Sequence, residues 1–283
     1  MKIKVYGCKG SISTYNPLDF QRGSNTSCVT IESMGKTLII DAGSGLAQYE
    51  ADLKEKSPDC IHGFGTPVDI LLSHLHLDHI IGLPVFSPCW NKEIDTRIFT
   101  CSRGEKPLKE QIFGAFVPPY WPLSMVESST AECVPIQPDT PFQIGPYTVE
   151  AFPAAHANNT FSFFITDGIK TLVYLLDGET SLLDKEAYEK LVNYCKDADL
   201  VIFDAAYSIE DYSHKKSWGH STVEDGFKLL KASNCKKMMF SHFGFNYTNQ
   251  QLNEWEECVN AWEARDGLKD RFVFARDGLE LEL

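Results

Sequence analysis

The sequence predicts an α/β fold in which two sheets pack face to face and helices cover their outer sides. Two observations carry this. Strand-like runs cluster in both halves of the chain, and segments of helical spacing lie between and after them. No linker and no internal repeat breaks the pattern, so a single domain over residues 1–283 is expected.

Taken in order, strands are expected at Ile3–Tyr6, Ser27–Glu32 and Lys36–Ile40, then at Val68–Leu72, Arg97–Thr100, Tyr147–Phe152, Phe161–Thr166 and Thr171–Leu176. These runs are β-rich, and Gly, Asn, Asp and Pro punctuate the gaps between them. The apolar runs Leu200-Val201-Ile202-Phe203 and Met238-Met239-Phe240-Ser241 read as later strand ends. Helical spacing appears at Lys106–Ala115, Asp184–Lys196, Thr222–Lys231 and Asn249–Trp262, and Ser221-x-x-Glu224 has the pattern of a capping box for the third. Phe116–Met125 is irregular. Its Pro118-Pro119-Tyr120-Trp121-Pro122 combines rigid turns with two aromatics, and reads either as a loop over a site or as a packed connection.

Composition narrows the function classes. With 26 Lys and Arg against 39 Asp and Glu, the formal net charge is −13. A basic groove for long nucleic acid is therefore not expected. The nine cysteines are scattered and never spaced Cys-x-x-Cys, which reads as reduced, packed thiols. Met1-Lys2-Ile3-Lys4-Val5-Tyr6-Gly7 starts on strand-like alternation without a signal-peptide core, and no run reaches the roughly 18 apolar residues of a spanning helix. A cytoplasmic location is the expectation.

The chemistry concentrates where Ile70-Leu71-Leu72-Ser73 runs into His74-Leu75-His76-Leu77-Asp78-His79. Imidazole nitrogens and carboxylate oxygens are ligands for zinc and similar ions. Alternate residues of an extended backbone share a side, so His74 and His76 point together while Asp78 and His79 turn toward a second position. Four such residues do not complete two metal sites, and further His or Asp residues are expected at later strand ends. His156, Asp177 and His242 stand there.

His74-x-His76-x-Asp78-His79 followed by His156, Asp177 and His242 resembles the metallo-β-lactamase superfamily, over most of the chain. The resemblance implies a four-layer αββα sandwich. It also implies two divalent metal ions, with His74, His76 and His156 on one, Asp78, His79 and His242 on the other, and Asp177 bridging. Asp41, before Ala42-Gly43-Ser44-Gly45, matches the superfamily's first motif and is expected to support the ligands without binding metal. Zinc is the default ion, with manganese or iron also suited to this donor set.

The superfamily hosts many reactions. Histidine at position 76, where the di-iron redox branch has glutamate, argues against that branch, and the full ligand set argues against a serine or cysteine nucleophile. Trp218-Gly219-His220-Ser221-Thr222, with Asp204 at an earlier strand end, resembles the tRNA 3′-processing and small phosphodiesterase branch. That resemblance implies His220 as the acid that protonates the leaving alkoxide and Asp204 as the carboxylate that orients and charges it, with Asp78 serving both the catalytic and the ligand sets. Val5–Ser11 and Arg22–Cys28 also look like that branch; their Gly-rich turns read as strand starts or as backbone N–H groups near a phosphate.

A small cyclic phosphodiester, most of all a cyclic nucleotide, is the expected substrate, with Tyr120 and Trp121 as base-stacking candidates. An RNA 3′-processing endonuclease, a lactone or thiolester hydrolase, and a ligand-binding regulator on the same fold remain the alternatives. The resemblance suggests a homodimer. His62 and His214 are expected at the surface.

Overall fold

The computed structural model describes residues 1–15, 21–56 and 67–283. In chain order its strands are β1 (Lys2–Gly7), β2 (Cys28–Ser33), β3 (Lys36–Ile40), β4 (Val68–Leu71), β5 (Thr96–Cys101), β6 (Glu132–Ile136) and β7 (Phe142–Ile144). They continue as β8 (Tyr147–Pro153), β9 (Phe161–Thr166), β10 (Thr171–Leu175), β11 (Leu200–Asp204), β12 (Met238–Ser241), β13 (Phe272–Phe274) and β14 (Glu280–Glu282). One seven-stranded sheet has the order β14-β1-β2-β3-β4-β5-β6, and the other β13-β12-β11-β10-β9-β8-β7.

Each sheet changes character at its middle strand. Antiparallel pairing runs from β1 to β3 and parallel pairing from β3 to β6. Likewise β7 to β10 pair antiparallel and β10 to β13 parallel. Parallel strands all end on the same edge, so the residues that follow β3, β4, β10, β11 and β12 are delivered to the two carboxyl edges, the usual place for a ligand crevice in open α/β sheets.

Alternation assigns the layers. Leu38, Ile40, Leu71 and Phe99 join Tyr147, Val149, Phe163, Val173 and Val201 in one buried cluster between the sheets. Their neighbours Ile39, Ile70, Leu72 and Ile98 face the other way, onto Leu46 and Tyr49 of helix Gly45–Lys56 and Ile112 and Phe113 of helix Leu108–Phe113. Leu191, Leu229, Leu230 and Val259, from helices Lys185–Cys195, Val223–Ser233 and Asn249–Asp266, cover the second sheet. The helix–sheet–sheet–helix sandwich is thus the one expected, each buried Leu, Ile, Val or Phe contributing roughly 1.5–3 kcal/mol relative to exposure. Tyr147 also bonds across the sheets, donating to the Lys36 carbonyl at 2.7 Å.

Two local expectations change. The capping box of helix Val223–Ser233 is built by Thr222 and Asp225, not by Ser221 and Glu224. Ser221 is taken up elsewhere, its hydroxyl donating to the Gly178 carbonyl and accepting from the Thr180 N–H at 3.0 Å, which secures the loop after Asp177. Helix Leu108–Phe113 is shorter than Lys106–Ala115, because Pro107 stands at its N-cap with extended backbone. Phe116–Met125 is anchored at both ends, with Phe116 and Met125 buried in the apolar layer outside the first sheet and Trp121 edge-on to Phe116. Its ends are packed, while Pro118, Pro119, Tyr120, Pro122 and Leu123 between them are exposed.

The eight described cysteines are free, and Cys8, Cys28, Cys89, Cys101, Cys195 and Cys235 are buried. Cys60 and His62 lie outside the described residues. His214 is exposed, and among the described residues no helix is long and apolar enough to cross a membrane.

Candidate metal centre

Left-handed backbone aims three of the site residues. Asp41, Asp177 and His242 stand just past β3, β10 and β12 with φ of 58°, 57° and 61°. Non-glycine residues in that region carry local strain that the surrounding packing must overcome, a pattern that clusters at functional sites. His74 follows β4, Asp204 ends β11, and His156 sits in the β8–β9 connection. His76, Asp78 and His79 follow at the start of the short helix Leu77–Ile80.

These residues converge. Asp177 lies at their centre, wholly enclosed, and its two carboxylate oxygens face different partners. Oδ2 lies 3.5 Å from Nε2 of both His74 and His156, while Oδ1 lies 3.0 Å from His79 Nε2 and 3.2 Å from His242 Nε2. On the first side, His76 Nδ1 is 2.9 Å from His74 Nε2 and 3.3 Å from His156 Nε2. On the second, Asp78 Oδ2 is 3.3 Å from His242 Nε2 and 3.5 Å from His79 Nε2. His74, His76, His156 and Asp177 form one group of potential ligand atoms within 4.8 Å of one another, and Asp78, His79 and His242 another. All seven residues lie in this one cluster, His74, His76 and His156 on one side of Asp177 and Asp78, His79 and His242 on the other.

The outward ring nitrogens are mostly held. Asp41 accepts from His79 Nδ1 at 2.7 Å, and from the Ser73 hydroxyl at 2.9 Å, which in turn lies 3.0 Å from His74 Nδ1. Tyr174 donates its hydroxyl to the same carboxylate at 2.8 Å, and His156 Nδ1 donates to the Gly219 carbonyl at 2.8 Å. The contacts at Nδ1 of His74, His79 and His156 turn Nε2 of each ring toward the centre. Glu179, buried, accepts from the N–H groups of Ser217 and Gly219 at 2.8 Å and so holds the loop that carries both Gly219 and His220. Ser73, Tyr174 and Glu179 escape sequence reasoning because nothing in their spacing marks them; only Asp41 had a motif.

The donor set fits a cation. Asp177 Oδ1 is buried without a hydrogen-bond partner, although it is near two ring nitrogens. Atoms that approach a common point without hydrogen-bond geometry are arranged as ligands are, and buried carboxylates need a compensating positive charge. Burial opposes ionisation of Asp177, and His242, His79 and His74 overcome it, holding the carboxyl well below its usual range. Burial likewise opposes charge on His79, and Asp177, Asp41 and Asp78 hold that ring well above its usual value. His74 is pushed down by burial and by its neighbour His79, which favours the neutral, ligand-competent ring.

Beside the cluster, His220 Nδ1 lies 2.7 Å from Asp204 Oδ2. Asp204 is fully buried and also accepts from the Ala206 N–H at 2.9 Å. The His220 ring stacks on His242 with centroids 5.1 Å apart. Burial works against charging His220, but Asp204, with help from Asp177 and Asp78, pushes it up to about 9. Asp177, Asp204, His220 and His242 also lie within 4.8 Å of one another, so the pair adjoins the second ligand set.

The glycine-rich turns border the same place. A Cβ on Gly10 would sit 2.6 Å from the His242 ring, and Ser11 donates its N–H to Asp78 Oδ2 at 2.7 Å. The Ser11 N–H is thus spent on Asp78 instead of being offered to a phosphate.

Comparison with known proteins agrees with this geometry. The model of a beta-lactamase superfamily domain matches residues 36–243. A ribonuclease Z of Nanoarchaeum equitans is 24% identical over 91% of this chain and 88% of its own length. The crystal structure of the metallo-beta-lactamase fold protein YhfI of Bacillus subtilis superposes with a TM-score of 0.70 at 19% identity, covering 100% of this chain and 98% of that one. A diphosphatase from the PhnP family gives 0.69 at 18% identity, covering 100% and 97%. With the matched region running from β3 past His242, the chain belongs to the beta-lactamase superfamily and has the metallo-β-lactamase fold.

Proposed function

We propose that the chain is a dinuclear metal-dependent hydrolase, a phosphodiesterase that opens small cyclic phosphodiesters, cyclic nucleotides foremost. The observation that carries this is the division of the Asp177 carboxylate between two imidazole sets, with the His220–Asp204 pair beside the second. His74, His76 and His156 would hold one ion and Asp78, His79 and His242 the other, with Asp177 shared; zinc suits the donors. Two divalent ions in such a site lower the pKa of water to about 7 and neutralise charge on phosphoryl oxygens.

The chain's own residues complete the reaction. Hydroxide attacks phosphorus, the opposite P–O bond breaks, and the departing oxygen takes a proton. Asp204 occupies Nδ1 of His220, so Nε2 is the nitrogen left to give that proton. A ring held at about 9 stays protonated at neutral pH, ready for an alkoxide that leaves poorly unaided. A thiolester, whose thiolate departs easily, has no need of this pair.

Net charge of −13 supports a small substrate, since tight tRNA binding draws on counterion release at a basic face. The similarity to ribonuclease Z over 91% of this chain supports RNA 3′-end cleavage as the second reading, by the same catalytic set. The test is to strip the protein with a chelator, reload it with zinc or manganese, and count metal per chain by elemental analysis beside turnover of 3′,5′-cyclic AMP. About two ions per chain with restored turnover supports the reading; turnover that survives stripping contradicts it.

A further inference from the structure

His76 differs from the other imidazoles of the centre in that it turns Nδ1 inward, toward His74 and His156. Its outward nitrogen, Nε2, lies 2.9 Å from Nδ2 of Asn158 in the β8–β9 connection. An amide nitrogen only donates, so here Nε2 accepts and the proton of a neutral ring sits on Nδ1. That agrees with the inner contact. His74 Nδ1 is engaged by Ser73, leaving Nε2 as the acceptor for a His76 Nδ1 proton at 2.9 Å. A ligand nitrogen needs the opposite tautomer, with Nδ1 bare and Nε2 protonated. With Nε2 protonated, the Asn158 amide turns to present Oδ1, which accepts that proton and makes Nδ1 the more basic donor.

We propose that Asn158 is a positioning residue whose amide selects between the two tautomers of His76 and thereby sets the affinity of the His74, His76 and His156 set for its ion. This rests on the metal-centre reading given above.

The loop is built to keep that amide in place. Asn158 and Asn159 both have left-handed backbone, φ 58° and 53°. Their carbonyls both accept from Arg103 Nε, at 3.2 and 3.0 Å. The same guanidinium donates to the Ser73 carbonyl at 2.8 Å and to the Cys101 carbonyl at 2.7 Å. Arg103 therefore fastens the loop bearing His156 and Asn158 to the strand end that leads into His74 and His76, across the two sheets. Asn158 itself is exposed, so its side chain can be changed with little effect on the fold.

The sign of the effect separates this role from a structural one. Asn158→Asp offers Nε2 a partner that only accepts, which favours the ligand tautomer. Asn158→Gly keeps the left-handed backbone without strain and removes the amide. Asn159→Asp adds the same charge one residue away, with no hydrogen bond to His76. Zinc affinity is measured by competition with a chromophoric chelator. Asn158→Asp is expected to bind the weaker-held ion about 10-fold more tightly and Asn158→Gly about 10-fold less tightly, at the lower end of what outer partners of metal ligands contribute. Asn159→Asp is expected to stay near the wild type. Equal gains from the two Asp variants, or an Asn158→Gly variant that binds like the wild type, would overturn the proposal alone. A wild-type protein that binds no zinc would overturn it together with the metal-centre reading.

Discussion

Half-buried His220 lies 2.7 Å from Asp204, whose carboxylate is fully enclosed and also bonded to the Ala206 N–H. A carboxylate so placed is little screened by water, so its charge acts strongly on the imidazole. The functional proposal gives the pair a measurable signature.

Activity should fall as pH rises through the His220 pKa, which Asp204 holds above its ordinary value, because the proton donor is then lost. Asp204→Asn removes the main cause of the upward shift, and the alkaline limb is expected to move to lower pH while the maximal rate drops. Stability follows with the same sign. A ring raised from 6.5 to about 9 stabilises the fold fully below pH 6.5 and loses that contribution between the two values. Denaturant titrations of chelator-treated wild type and Asp204→Asn should thus differ most at pH 6 and converge above pH 9, on the order of the limits set by this linkage. An unmoved alkaline limb in the variant would remove Asp204 from its role.

His220→Ala should reduce kcat on an unactivated cyclic phosphodiester by roughly 10²-fold or more, as loss of a general acid does. On a phosphodiester with a p-nitrophenolate leaving group the loss should be much smaller, because that group needs no proton. Steady-state rates on the two substrates check this, and equal losses on both would point to a structural effect.

Asp177→Asn should cost both ions, since each carboxylate oxygen faces a different imidazole set. Elemental analysis is expected to give well under one ion per chain. By contrast His242→Ala should spare the ion of His74, His76 and His156.

Gly219 has φ +89°, and a Cβ there would fall 2.2 Å from His156 Nδ1. Gly219→Ala is therefore both strained and pressed against a candidate ligand. A stability loss of about 1–3 kcal/mol is expected in thermal or denaturant unfolding, accompanied by weaker metal binding. Tyr174→Phe, which removes the hydroxyl donated to Asp41 at 2.8 Å, should cost about 1–2 kcal/mol while leaving the ligands in place.

How much of this was legible in the sequence follows from the range of the forces involved. The inner strands announce themselves because both faces are buried, and the clustered histidines because nothing else explains so many imidazoles after an apolar strand. Edge strands do not. β6 contains Pro135 and alternates weakly, while β7, β13 and β14 are three residues each, held in place by neighbours distant in sequence. The cap of helix Val223–Ser233 falls one residue later than the spacing predicts because Ser221 and Thr222 are equally good caps locally, and the Gly178 carbonyl and Thr180 N–H take up the Ser221 hydroxyl. Ser73, Asn158, Glu179 and Arg103 belong to the same class. Their partners are backbone groups or rings brought close by the fold, which no spacing records.

The most direct test of the central claim is kcat/KM of the zinc-loaded protein on 3′,5′-cyclic AMP, GMP, UMP and CMP, measured beside a pre-tRNA and an unactivated lactone. The account predicts ring opening of at least one cyclic nucleotide, with the lactone untouched and the pre-tRNA a poor substrate. Efficient cleavage of the pre-tRNA with no cyclic nucleotide opened, or turnover of the lactone alone, would contradict it.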